Sequence, residues 1–331
     1  MSTTSEAKLL VDRVKHFTNL LIVDSGPVSK NETSLNEICD YTVGAGLNVM
    51  VYFGKFDQSW QIPWLDTAKQ RWGNKFLGIY FYDEPAGSLL DTANESLNAN
   101  PPKTYDEMAE LFVSSWQTMP GLHTMKTRPM PLPAFTSDYA LYWFDYLAGY
   151  DVVFTQFGWN HTRAQDIALI RGAAKVQNKT WGAIITWTYD GSPYLDSGER
   201  LYYDMVLAYE NGAKYISVFN YPQINDFGIL QEEHFMALER FWRKITTETD
   251  YSPKEAQTAL ILPRNYGWGM RSPNDSIWGL WGPDEKSGHV WNATRGLLAS
   301  NALNFDIIYE DTRFSVEDKY STLYYWNSTV Q

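Results

Sequence analysis

Residues 76–85 read FLGIYFYDEP, a mostly apolar and aromatic run that ends in two acids and a proline. Runs of this kind recur at 19–26 (NLLIVDSG), 48–54 (NVMVYFG), 130–138 (MPLPAFTSD), 151–160 (DVVFTQFGWN), 181–191 (WGAIITWTYDG) and 214–222 (KYISVFNYP). Between them lie helical patterns at 34–46, 104–118, 162–177, 199–211 and 229–247. In the third, Ile167, Leu169, Ile170 and Ala174 fall at helical spacing. Short strands alternating with longer amphipathic helices predict repeated βα units around a parallel sheet. No repeat of about 20–50 residues is visible, which argues against solenoids and propellers.

The expected fold is α/β: a (β/α)8 TIM-type barrel over 1–250, then a small α/β unit over 251–331. Seven strand patterns leave the barrel one short of eight. Either TALILP (258–263) is the eighth, or the first strand is absent and the chain opens in the helix at 5–16. The second frame is favoured, because an amphipathic helix carrying Leu9, Leu10 and Val14 normally follows a strand; FLGIYFYDEP is then barrel strand four. The polar segment TTETDYSPKEAQ, with Pro253, reads as the linker. The second unit offers TALILP, a Trp-rich loop, a helix near 289–303 and strands at FDIIYED and YSTLYYWN, too little for a complete Rossmann domain.

The 331 residues carry 27 Lys and Arg against 39 Asp and Glu, a net charge of -12 that repels phosphate backbones and anionic lipid. Nucleic acid is therefore not an expected partner, and oligomeric state is left open. Hydrophobic residues make up 44% and charged residues 20%, the balance of a folded protein. With Cys39 alone no internal disulfide can form, and its apolar setting reads as a buried small side chain. No run reaches the roughly eighteen apolar residues of a membrane span, and the start lacks a signal peptide's apolar stretch. Asn-x-Ser/Thr nevertheless occurs at Asn31, Asn94, Asn160, Asn178, Asn274, Asn292 and Asn327, where composition gives roughly three. The expectation is an extracellular or cell-surface glycoprotein whose leader has been removed.

Aromatic residues reach 16%, with 14 Trp and 22 Tyr. Rings bury large areas while offering flat faces and a polar edge, which suits a cleft that holds carbohydrate. Trp60, Trp64, Trp159, Trp187 and Tyr221 stand at or beyond predicted strand ends as sugar platforms, with Tyr82 and Tyr189 beside them. Gln156, Asn160 and Asn220 are similarly placed to bond hydroxyls, though Asn160 is also a glycan acceptor.

Acids at the C-terminal end of a barrel strand mark the pocket edge. Alternation along 76–85 turns Ile79 and Phe81 toward the helices and Tyr80, Tyr82 and Glu84 toward the interior. A carboxyl among rings is desolvated, which favours its neutral form and suits a general acid; the competing reading is a DE pair that caps the next helix. Asp190, ending WGAIITWTYDG, is the second carboxylate candidate, with Asp24 and Asp138 competing for that role. Asp190 also fits a plain turn before Gly191. No close histidine pair, HExxH, GxSxG, GxxxxGK[ST] or GxGxxG occurs, so neither metal nor cofactor is expected.

The ending YDEP resembles the Asn-Glu-Pro ending of strand four in the large retaining glycosidase clan of (β/α)8 barrels. By that resemblance Glu84 is the acid/base, and Asp83 stands where the clan has Asn, beside the substrate's 2-hydroxyl. The clan's nucleophile is a Glu ending strand seven, a place where this chain offers Asp190. The order of barrel, linker and small α/β unit also resembles β-galactosidases with a flavodoxin-like domain, and the whole chain is similar to archaeal surface proteins. The resemblance implies a glycoside hydrolase; the alternative is an inactive barrel that binds carbohydrate or serves surface assembly.

Overall fold

In the computed structural model, residues 3–97, 101–221 and 224–327 are described. The expected alternation is present as α1 (Thr4–Val14), β1 (Leu20–Val23), α2 (Gly26–Ser29), α3 (Glu32–Gly44), β2 (Asn48–Tyr52), α4 (Gln61–Trp72), β3 (Phe76–Tyr80), α5 (Pro85–Ser96), α6 (Tyr105–Gln117), α7 (Pro120–Thr127) and β4 (Ala134–Asp138). It continues through α8 (Tyr142–Ala148), β5 (Val152–Phe157), α9 (Arg163–Gln177), β6 (Thr180–Ile185), α10 (Gly198–Glu210), β7 (Tyr215–Val218) and α11 (Glu232–Thr247). A second unit holds β8 (Thr258–Leu262), α12 (Glu285–Asn301), β9 (Phe305–Tyr309) and β10 (Thr322–Tyr325). Pro222, the last residue of the seventh strand pattern, and the Ser328 and Thr329 of the Asn327 acceptor lie outside the described residues.

β1 to β7 form one parallel sheet in chain order. The sheet curls into an α/β half-barrel. Met50, Tyr80, Phe135, Val152 and Phe154 form one inner cluster, joined by Leu20, Ile22, Ile184 and Tyr215. Tyr215 of β7 meets Phe135 at 5.5 Å and Phe154 at 6.1 Å between ring centres, so the last strand faces the middle ones across the concave side. The alternate residues, including Val49, Val51, Ile79, Val153 and Ala183, pack outward under the helices. β1 and β7 are the two edges of this sheet and do not pair with each other. TALILP is not an eighth barrel strand: it forms β8, the centre of a separate parallel sheet ordered β10-β8-β9.

The two sheets share one continuous core. The common wall is α9, buried over nearly its whole length. Gly172 lets it approach β9, since a Cβ there would lie 2.8 Å from the Ile307 carbonyl oxygen. No described helix is long and apolar enough to cross a membrane.

Candidate functional site

A cavity of about 1050 Å³ runs along the β1 and β7 side of the barrel, from Asn19 and Lys214 at the N-terminal strand ends to the C-terminal ends, where Asp24, Asp83, Glu84, Gln156, Trp187 and Asn220 line it. Glu84 reaches it by local backbone geometry rather than by alternation. β3 ends at Tyr80, and beyond it Tyr82 (φ 61) and Glu84 (φ 53) take left-handed conformations. Such conformations cost about 1–3 kcal/mol each for non-glycine residues. They are held by neighbours: the Tyr82 N–H donates to the Gly54 carbonyl at 3.0 Å and the Glu84 N–H to the Ser137 carbonyl at 2.9 Å.

Glu84 occupies the position before α5, where a side chain ordinarily caps the helix. Here Asp138 does so instead. From the end of β4 its carboxylate accepts the Ala86 N–H at 2.8 Å and the Gly87 N–H at 2.9 Å. Glycine at 87 makes this approach feasible, because a Cβ would lie 2.5 Å from Asp138 Oδ1. The helix end is thus satisfied without Glu84, whose side chain is left to accept a 2.7 Å hydrogen bond from Gln156 Nε2.

Asp83 opens onto the cavity, and its Oδ1 accepts from the Tyr80 hydroxyl at 2.5 Å and the Ser137 hydroxyl at 2.8 Å. Asp24, one residue past β1, is the third carboxylate on the cavity wall. The surrounding walls raise the pKa of all three, with Glu84 half-buried and Asp24 and Asp83 exposed at the cavity surface. For Glu84 desolvation dominates, the Asp83 charge adds, and the Gln156 hydrogen bond opposes. Asp83 is raised by desolvation against its Tyr80 and Ser137 bonds. Asp24 is pushed up to about 6 by desolvation and by Asp83.

Of the residues picked from sequence, Asp83, Glu84, Gln156, Trp159, Trp187 and Asn220 are brought together at this cavity. Asn220 is partly committed, since its side-chain oxygen accepts the Ile229 N–H at 3.1 Å. Tyr221 stands at the exposed rim, 5.7 Å from the Trp187 ring. The remaining candidates lie elsewhere. Trp64 is only 1% exposed and is enclosed by Phe53, Trp60, Trp72 and Phe76, so neither ring face is free to meet a sugar. Trp60 packs on Phe53 and Trp64 outside the cavity lining. Tyr82 does not share Tyr80's interior face: its positive φ turns the ring onto Trp116 of α6, 4.7 Å away.

Tyr189 and Asp190 are exposed on the loop after β6, outside the cavity lining. β6 ends at Ile185, and the N–H groups of Thr188 and Tyr189 both donate to the Tyr194 carbonyl, at 2.8 and 3.0 Å. That turn carries the chain away from the direction strand alternation predicts. Asn160 is exposed beside Trp159. Sequence reasoning passed over Ser137 and Thr186, which also line the cavity; the available signal was a hydroxyl residue at the end of an apolar strand. Among the described residues no group of three or more His, Cys, Asp or Glu side chains is arranged to hold a metal ion.

No family model matches the chain, and no curated protein matches it either. Solved glycoside hydrolases share the fold. The polyextremophilic β-galactosidase from the Antarctic haloarchaeon Halorubrum lacusprofundi aligns with TM-score 0.59 and 9% identity over 97% of this chain and 67% of that one. α-L-Fucosidase isoenzyme 2 from Paenibacillus thiaminolyticus aligns with TM-score 0.57 and 12% identity over 97% of this chain. The chain spans 56% of that fucosidase's length. GH5_18 from Bifidobacterium longum subsp. longum gives TM-score 0.50 and 10% identity over 92% of this chain and 86% of that one. At these identities the likeness is one of fold.

Proposed function

We propose that the protein is a glycoside hydrolase that cleaves a polysaccharide or glycan, with Glu84 as the proton donor. One observation carries this reading. Glu84 is held in a left-handed conformation, released from helix capping by Asp138, and turned into a ring-lined cavity where desolvation favours its neutral form. Glycosidic cleavage needs a second carboxyl as nucleophile or as base for water. With Asp190 on an outer loop, that role falls to Asp24, the other cavity carboxylate not already bonded beside Glu84. Asp83, fixed by Tyr80 and Ser137, is placed to orient a sugar hydroxyl, and Trp159 and Trp187 offer ring faces. The glycosidase neighbours support the substrate class at the level of fold.

A second reading, a carbohydrate binder without turnover, is favoured by the opposite wall. Among the described residues, the lining contributed at and beyond the C-terminal ends of β5, β6 and β7 is Gln156, Trp159, Thr186, Trp187, Phe219 and Asn220, which holds no carboxylate. The two readings separate in an assay of aryl-glycosides and polysaccharides with the parent and Glu84→Gln. Catalysis predicts turnover that falls by about 10²-fold or more in the variant. Sugar binding without turnover across the panel selects the binder. We further propose an extracellular location: Asn31, Asn160, Asn178, Asn274, Asn292 and Asn327 are all exposed. Intact-mass analysis of protein from its native host tests it, and unmodified Asn in an intracellular fraction would reject it.

A further inference from the structure

Asp24, Asp83 and Glu84 bring three carboxyls to one end of the cavity, and the lining there supplies no cation to meet them. Among the described residues the only lysine or arginine of the lining is Lys214, which precedes β7 and lies at the opposite end. Two cations on neighbouring segments are engaged elsewhere. Arg271 donates to Asp91 and to Asp275, each at 2.7 Å, and Lys55 stands 5.7 Å from the Tyr82 ring centre. What holds the carboxyls is neutral: the Tyr80 and Ser137 hydroxyls on Asp83 and the Gln156 amide on Glu84. Both bonds to Asp83 fall on Oδ1, which leaves Oδ2 open to a ligand. Three buried carboxylates away from the cavity are treated differently, each being met by arginine: Asp204 by Arg163 and Arg200, Asp275 by Arg271, and Asp306 by Arg171.

A sugar that enters the cleft expels water from these carboxyls, and a carboxylate taken out of water without a partner is costly. An anionic sugar adds repulsion, and a neutral one leaves the charge unanswered. A protonated amine offsets it. We propose that the substrate is an amino-sugar glycoside, whose protonated amine, on the carbon next to the scissile bond, is held by the Asp83 carboxylate. The position follows from connectivity. Asp83 adjoins Glu84 in the chain, and the two side chains are tied through Gln156 and Ser137 by hydrogen bonds of 2.7, 3.0 and 2.8 Å. With Glu84 on the glycosidic oxygen, the substituent one carbon away is the one that reaches the adjoining carboxylate. Asp83 then holds an amine rather than a hydroxyl, through a charge-assisted bond to Oδ2. Trp159 and Trp187 add ring faces on which a cation is also favoured. Placing the amine at the scissile bond rests on the glycosidase reading; the demand for a cation does not.

Matched aryl-glycosides test it: glucosides and galactosides of both anomers, each with an amine, an acetamide or a hydroxyl on the carbon beside the anomeric centre. Turnover by the parent and calorimetric binding to Glu84→Gln are measured at about pH 6.5, where an amine is protonated. The amine is expected to exceed its acetamide and hydroxyl counterparts by about tenfold or more in kcat/KM and in affinity, the worth of a charge-assisted hydrogen bond. Its affinity should fall with added salt while that of the hydroxyl counterpart does not. In Asp83→Asn the ratio of amine to hydroxyl should drop toward one, and this ratio does not depend on the fraction of variant that folds. Amine-selective binding with no turnover of any glycoside supports the proposal for Asp83 and removes the glycosidase reading. Turnover that needs Glu84 but shows no amine preference does the reverse. A preference that survives Asp83→Asn, or no binding of any amine glycoside, also overturns the proposal.

Discussion

Gln156 Nε2 lies 2.7 Å from Glu84 Oε1 and donates to it, while also donating to the Ser137 hydroxyl at 3.0 Å. Ser137 in turn donates to Asp83 at 2.8 Å. One amide at the end of β5 thus orients both acids of the DE pair and opposes the desolvation that raises Glu84. Gln156→Leu removes the opposing contribution, so the Glu84 pKa should move further up, and the folded state should lose about 1 kcal/mol for the deleted hydrogen bond. Carboxyl carbon NMR titration of Glu84 in parent and variant checks the direction. An unchanged or lowered midpoint would show that the amide does not act on Glu84.

The pH profile of turnover follows from two raised carboxyls with opposite tasks. Asp24 must be ionised to act as nucleophile or base, so activity should rise as pH passes about 6. Glu84 must be protonated, so activity should fall as pH passes its own raised pKa. Gln156→Leu should carry the Glu84 limb upward and leave the limb near 6 in place. A pH–rate series on the parent and this variant reads both limbs; a profile with no limb near 6 would remove Asp24 from the mechanism.

Beneath the site, Asp138 and Asp145 are fully buried side by side. Asp138 accepts the N–H groups of Ala86, Gly87 and Tyr139, whereas neither Asp145 oxygen has a donor. Burial and the adjacent Asp138 hold the Asp145 carboxyl neutral, well above its usual range. A group that binds its proton more tightly when folded makes stability fall as pH rises above the unfolded pKa of about 3.9, until the folded pKa is passed. Asp145→Asn keeps a donor for Asp138 and removes the titration. Urea unfolding between pH 5 and 8 should show the parent losing stability and the variant changing less, ending more stable by at least ~1 kcal/mol at pH 8. Parallel curves would mean that Asp145 does not carry the extra proton.

Strand positions were legible because a buried parallel strand is an uninterrupted apolar run, and all seven barrel strands start within a few residues of the expected places. Their C-terminal ends were read too long. FYDE, GWN and TWTYD continue the aromatic pattern after the backbone has left the sheet, with φ 61 at Tyr82 and φ 46 at Trp159; of their rings Phe81 and Tyr82 pack on Phe56 and Trp116, and Trp159 and Trp187 line the cavity. Strand alternation therefore led to Glu84 through the wrong geometry and to Asp190 without structural support. α8 escaped notice because Tyr142, Trp143, Phe144, Asp145 and Tyr146 are buried on every side, which leaves no helical periodicity to find. α4 was hidden by Pro63 in its first turn and by a start without a capping side chain. The capping role of Asp138 depends on a contact between β4 and α5 that no local pattern encodes.

Arg171 supplies the most demanding test of how the two sheets are joined. From α9 its guanidinium donates to Asp306 of β9 at 2.8 Å, to Asn211 at 2.9 Å and to the Leu303 carbonyl at 2.6 Å, and both charged partners are nearly or fully buried. Asp306 keeps one other side-chain donor, the Tyr320 hydroxyl at 2.9 Å. Arg171→Met leaves that carboxylate buried without its countercharge, and such removals cost about 3–5 kcal/mol. Without the arginine, Asp306 loses the charge that opposes its desolvation, so its folded pKa rises further above the unfolded value. The penalty should then be largest at neutral and higher pH and shrink as acidification protonates Asp306. Adding Asp306→Asn should restore part of the loss at pH 8, because the uncompensated charge is gone. Chemical denaturation of the single and double variants at pH 5 and pH 8 decides it. A loss that is the same at both pH values and untouched by Asp306→Asn would assign the cost to packing between α9 and β9 rather than to the charge.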